Sequence, residues 1–320
     1  MLATFALAGE LAALATAVLW ACSALAWSLA GRKVGSVAVA VIRVTVAALI
    51  LAAAHWVTAG RPFPAGLPSR AFWLLVVSGG LGVGLGDLCV FRGLLLVGPR
   101  LAVTILSLAP FLAAGIAYLT PMRETLGLWA LLGMVLTVGG VTAVVSEPRG
   151  RRAWTSEPRH FGQGVLVSLV GTCFLAVSMV LAKMAMRGSP AGAAGDAVVA
   201  VGGFQATVVR VWTGMVVCWL VAAGLGRAPA VVHSCRHRRA MLIIVAGTVV
   251  GPVVGIWLSM EAIARTAETG VAMALIATSP IFLIPLAYAA YGERPSLRTI
   301  VGTIAAVGGV AVLVLRHTRP

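Results

Sequence analysis

The stretch RETLGLWALLGMVLTVGGVTAVV, residues 123–145, has a second copy in the same chain: ERPSLRTIVGTIAAVGGVAVLVL, residues 293–315. Glu124, Gly133, Gly139, Gly140 and Val141 reappear 169 residues later as Glu293, Gly302, Gly308, Gly309 and Val310. The same offset carries Ser78, Gly82 and Gly86 onto Gly247, Gly251 and Gly255, while Pro110 and Pro280 correspond within one residue. Arg43 has a looser counterpart in Arg210. Self-similarity at a fixed offset is the signature of a duplicated structural unit.

The duplicated unit is a membrane unit. Of 320 residues, 60% are hydrophobic and only 10% are charged, where a soluble domain carries roughly a quarter charged. Ten apolar segments are long enough to cross a bilayer, which takes about 20 residues each. They lie near 11–30, 37–57, 72–97, 101–120, 126–146, 162–183, 203–224, 241–262, 270–291 and 297–315. The first has no Lys or Arg before it and no small-residue cleavage site after it, so it reads as a retained span. Five segments per copy is an odd number, and odd copies in tandem face opposite ways across the membrane. The expected fold class is therefore all-α integral membrane, with ten transmembrane helices as two inverted five-helix repeats. The expected division is residues 1–146, a basic linker 147–161, and residues 162–320.

The net charge of +15 does not point to nucleic acid, because the basic residues are spread over many short loops that flank spans and meet anionic lipid. Cys22, Cys89, Cys173 and Cys218 lie within apolar segments and form no CxxC, and Cys235 sits in a basic loop beside His233 and His237. That trio is too weak a pattern to call a metal site. No Walker motif, HExxH or nucleophile–base spacing occurs. No cofactor and no enzymatic activity are expected.

Ser78-x₃-Gly82-x₃-Gly86 and Gly247-x₃-Gly251-x₃-Gly255 are smooth helix faces suited to close packing in lipid or to a sliding contact. GGLGVGLG, residues 79–86, is no phosphate cradle, since it lies mid-span with no strand before it. Pro110 and Pro280 each remove a backbone donor and free a carbonyl one turn earlier, beside the hydroxyls of Ser107, Thr278 and Ser279. They read equally as hinges or as fixed kinks. Glu124 and Glu293 precede helices and read as macrodipole caps.

GDLCVFRG, residues 86–93, places Asp87 and Arg92 in an apolar segment. Five residues apart, they diverge by about 140° on a helix and cannot pair with each other. Arg92 can snorkel outward. Asp87 lies about 15 Å from the end of its span and Arg43 about 10 Å into the preceding one, a similar depth. An Asp87–Arg43 pair follows, and Arg210 with Glu261 is the expected analogue in the second copy. Each pair reads either as a gate or as a brace.

Pro110, Glu124, Gly133 and Gly139-Gly140-Val141, with their second set at Pro280, Glu293, Gly302 and Gly308-Gly309-Val310, resemble the EamA domain. Two such domains resemble the drug/metabolite transporter superfamily over roughly residues 10–315. The resemblance implies a basket with a central cavity lined by segments 1, 3, 4, 6, 8 and 9. Trp20, Ser107, Trp257 and Thr278 are the candidate lining residues. It implies a secondary transporter of a small metabolite or drug, coupled to protons or exchange, with a lipid flippase or membrane enzyme as the alternative. The partners expected are a small-molecule substrate and membrane lipids, with no nucleic acid, and the protein is expected to be a monomer. The expected location is the cell membrane, as the multi-pass inner membrane of a bacterium. Basic residues number eight on the side of the termini and thirteen on the other, with Arg43, Arg92 and Arg210 inside spans completing the 24. That count favours external termini; the family resemblance implies cytoplasmic ones, and this is the orientation adopted.

Overall fold

Apolar segments in lipid must satisfy their own backbone groups, and a helix does so within a single segment. The computed structural model describes residues 8–145, 161–187, 201–279, 281–282 and 297–315, and among these every regular element is helical. In chain order they are α1 (Ala8–Val34), α2 (Ser36–Ala59), α3 (Ser69–Gly79), a π-helical segment π1 (Gly80–Gly86), α4 (Asp87–Leu106), α5 (Ala109–Leu119), α6 (Leu128–Val145) and α7 (Phe161–Met186). Then follow α8 (Gly203–Gly224), α9 (Ala228–Ser234), α10 (Arg238–Thr248), π2 (Val249–Gly255), α11 (Ile256–Arg265), α12 (Thr269–Ile276) and α13 (Leu297–Leu315).

Five continuous stretches are long and apolar enough to cross a membrane: Val37–Ala59, Ser69–Gly93, Phe161–Met186, Gly203–Gly224 and Arg238–Arg265. Ala8–Ser23, Ala109–Leu119, Leu128–Ala143 and Ile300–Leu315 are shorter apolar helices. The described residues are all-helical, and the chain is a multi-pass membrane protein. The ten-span count reaches beyond the described residues, since much of segment 270–291 lies outside them, with Pro280 and Glu293. Its surface agrees with a lipid environment. Trp56, Leu242 and Leu119 are 63%, 71% and 83% exposed, an apolar display that soluble monomers rarely carry.

Two boundaries differ from the sequence expectation. No helix ends at Gly98-Pro99-Arg100; α4 continues to Leu106, and the turn falls at Ser107-Leu108. Pro110 is therefore not a kink inside a span. It occupies the first turn of α5, where its missing N–H is one of the donors that no helix satisfies. A turn at Ala277-Thr278 follows α12 in the same way, and the Thr278 hydroxyl donates to the Leu275 carbonyl at 2.6 Å.

The packing interleaves the chain's two parts. α6 lies along α13, α5 meets α12, and α2 meets α8. α3, π1 and α4 pack on α7, while α10, π2 and α11 pack on α1. The core reflects this mixing: Val44 and Leu51 cluster with Val208 and Val211, and Met134 with Leu275 and Leu313.

Glycines set the closest approaches. A Cβ on Gly133 would meet Leu313 at 2.7 Å and the Gly309 carbonyl at 3.1 Å; on Gly140 it would lie 2.5 Å from the Gly302 carbonyl. Gly139 and Gly308, one residue away in each helix, face open space. The two stripes behave alike. Gly82 receives Ser178 of α7, Gly251 receives Ser23 of α1, and an added Cβ on either would collide with the serine.

Candidate functional site

Both stripes are π-helical, π1 over GLGVGLG and π2 over VVGPVVG, and their bounds are offset by 169 residues. Each interrupts the i→i+4 ladder in the middle of a continuous apolar stretch, a feature found mostly at functional sites. π1 ends at Gly86, and Asp87 opens α4 immediately after it.

Asp87 is paired with Arg43 of α2, as the depth argument anticipates. The Arg43 side chain is buried, and its guanidinium lies over the Trp27 ring at 4.5 Å and the Phe91 ring at 5.1 Å. Phe91 is four residues after Asp87, so one face of α4 presents both the carboxylate and a ring. Trp27 comes from α1, where Trp20 meets it edge-on at 5.9 Å. Aromatic faces attract a guanidinium, more so when it is desolvated. Arg92 is exposed.

Arg210 does not pair with Glu261. Glu261 binds Arg265, one turn along α11, at 3.0 Å, and fills the space beside Gly203, the first residue of α8. Arg210 is seven residues further into α8, about 10 Å deeper, and completely enclosed. Its Nη2 donates to the Ser178 hydroxyl at 2.9 Å, and its other side-chain partners among the described residues are the sulfurs of Met260 and Met179. Ser178 in turn exchanges hydrogen bonds with Ser78: each hydroxyl donates to the other's carbonyl, at 2.7 and 2.8 Å. Asp87 lies within electrostatic reach of Arg210 as well as Arg43. One carboxylate is thus paired with one buried guanidinium and lies within electrostatic reach of a second, from a different part of the chain.

The other candidate residues are engaged locally. Ser107 is buried and shares a hydrogen bond with Thr142 at 3.1 Å. Trp257 is 38% exposed and meets Phe204 edge-on, and Phe204 stacks on His55. Trp20 is half-buried beside π2.

A second charged node is absent from the sequence reading. Glu124 does not cap the helix that follows it. Its Oε2 accepts from the backbone N–H of Thr269, at the start of α12, at 2.7 Å. Its Oε1 lies 2.7 Å from the ammonium of Lys183 in α7 and 3.4 Å from Arg187. Lys183, fully buried, also donates to the carbonyls of Thr266 and Ala267 at the end of α11. One ion pair therefore closes the C-terminus of α11 and the N-terminus of α12. Arg123 turns the chain into this position with φ at 44°, a left-handed backbone that is rare outside glycine. Lys183 carried a signal only in hindsight: it stands at the end of a segment, where lysines ordinarily flank the membrane.

The two carboxylates of the expected pairs differ in consequence. Asp87→Asn strands a buried guanidinium, whereas Glu261→Gln breaks an i,i+4 pair half-open to its surroundings, of a kind worth under about 1 kcal/mol. In thermal melts of purified protein, Asp87→Asn is expected to lower the midpoint by several degrees and Glu261→Gln to leave it within error. Equal shifts would contradict the assignment.

No curated protein sequence matches this chain. A solved crystal structure shares the fold with a TM-score of 0.71 at 18% identity, covering 96% of this chain and 98% of that one. The family model for the EamA-like transporter family matches twice, over residues 7–146 and 162–315. With both matches together spanning most of its length, the chain belongs to the EamA-like transporter family.

Proposed function

We propose that the protein is a secondary transporter that moves a small metabolite or drug by alternating access between two inverted five-helix halves. The observation that carries this reading is the exchanged packing of equivalent positions. Gly133 abuts Gly309, and Gly140 abuts Gly302, so each glycine meets the repeat-mate of the other. The π segments follow the same rule: π1 lies on α7 and α8, from the second copy, and π2 lies on α1, from the first. Inverted repeats that exchange roles by rocking need such interchangeable contacts.

Residues 1–146 and 162–320 are the two moving units in this reading, with 147–161 as their link. The π segments are the places where span 3 and span 8 change shape, because an i→i+5 ladder is already displaced from its commonest register. Asp87 with Arg43 is the contact that holds one side shut. Protons or counter-exchanged solute supply the drive. The protein works in the cell membrane with its termini in the cytoplasm.

The test is uptake by the purified protein in liposomes. Vesicles are loaded with a cell metabolite extract, incubated with the same extract isotopically labelled, and analysed by mass spectrometry. The expected result is labelled entry of a restricted set of solutes that saturates and accelerates when the same solute is loaded inside. Absence of solute entry with or without a pH gradient, together with lipid scrambling, would overturn the proposal in favour of a flippase.

A further inference from the structure

Among the described residues, the buried arginines carry more positive charge than is neutralised around them. Arg43 and Arg210 are 2% and 1% exposed, and among the described residues Asp87 is the one carboxylate paired with Arg43 or within electrostatic reach of Arg210, so two guanidinium charges against one carboxylate leave +1 there. The Nε of each arginine is buried with no hydrogen-bond partner among the described residues. Arg210 in particular spends its strong donors on one serine hydroxyl and two thioethers. Thioether sulfur is a weak acceptor. Ionisable side chains inside a membrane are costly and ordinarily paired. An arginine kept there with so poor a set of acceptors is poised for one that arrives from elsewhere.

We infer that Arg210 is the seat for a monoanionic group, a carboxylate, on the transported solute. This rests on the transporter reading and names the substrate class for it. The charge arithmetic favours one negative charge over two. A guanidinium presents paired donors that match the two oxygens of a carboxylate, which makes the contact directional as well as electrostatic. The surrounding residues fit the same role. Ser178 fixes the position of Arg210 without neutralising it, Met179 and Met260 can re-pack around a guest, and Gly82 makes room for Ser178 against the guanidinium: a Cβ there would collide with the serine and stand 3.4 Å from Nη2. π1 runs directly over this point, so a change in its ladder opens or closes the seat.

Thermal melts of the purified full-length protein test the seat, with acetate and benzoate as probes and acetamide and benzamide as neutral controls at constant chloride and ionic strength. The expected result is a saturable rise in midpoint with at least one carboxylate and none with its amide. The rise is lost in Arg210→Gln and partly kept in Arg210→Lys, which retains the charge but not the fork. Arg210→Gln also reports independently of ligand. If the arginine were a structural brace, its removal would lower the unliganded midpoint strongly; a seat predicts little change. A carboxylate response that persists unchanged in Arg210→Gln would assign the effect to the surface arginines and overturn the inference. If Arg210→Gln does not fold, the brace is favoured and the inference fails. Amides that act as well as carboxylates on the wild type overturn it too. Uptake of the same four probes into liposomes separates the two levels. Entry of the amides but not the carboxylates leaves the transporter reading intact and sinks the anion seat. A saturable carboxylate response in the melts with no flux of any solute sinks transport and keeps the seat.

Discussion

Replacing Lys183 by Met is expected to destabilise the protein by about 3–5 kcal/mol, the range for leaving one member of a buried ion pair alone. The Glu124 carboxylate would lose its closest cation, and the carbonyls of Thr266 and Ala267 would lose a shared donor. Arg187, 40% exposed at 3.4 Å, is too far out to replace it. Glu124→Gln should cost less, because an amide oxygen can still accept from Thr269 and from the ammonium. The double change Lys183→Met with Glu124→Leu should recover part of the loss, since no charge is then stranded. Unfolding by denaturant titration in detergent micelles measures all three. A single Lys183→Met change that costs under about 1 kcal/mol would show that the node does not hold α11 and α12 together.

A second large effect separates neighbours. Gly140→Ala and Gly309→Ala are each expected to cost about 1–3 kcal/mol, the usual penalty for overpacking, because the added methyl meets backbone that cannot rotate away. Gly140 faces the Gly302 carbonyl at 2.5 Å and Gly309 faces the Gly133 carbonyl at 2.8 Å. Gly139→Ala and Gly308→Ala should be neutral or stabilising by up to about 1 kcal/mol, since they face open space and alanine suits a helix better. The same titration reads the sign of all four. Indistinguishable behaviour of Gly139 and Gly140 would contradict the α6–α13 crossing.

That contrast also marks where sequence reading stops. The repeat, the helical class and the small-residue stripes are visible because they depend on spacing and composition. Which glycine of a Gly-Gly pair faces the partner helix depends on rotation about the helix axis, and adjacent residues differ there by about 100°. The same limit separates the two acid–base pairs. Depth along a span can be counted, and it was enough for Arg43 with Asp87. For Arg210 and Glu261 the count missed the offset that sets Glu261 against Gly203 and Arg210 against Ser178. The π segments left glycines as a shared trace, which serve packing equally well, and Pro252 marks a disrupted ladder in π2 alone. Glu124 and Lys183 are 59 positions apart, and nothing local in either stretch announces their contact.

Access to the helix crossing from both sides of the membrane tests the central claim most directly. The probe is Ser178→Cys, at the buried junction of Ser78, Gly82 and Arg210, in a protein whose five native cysteines are replaced. Oriented proteoliposomes are treated with a membrane-impermeant maleimide on one side or the other, with and without solute and across a pH gradient. Alternating access predicts labelling from either side, with the favoured side changing as solute or proton load changes. A cysteine that reacts from one side only under every condition, or from neither, would contradict it.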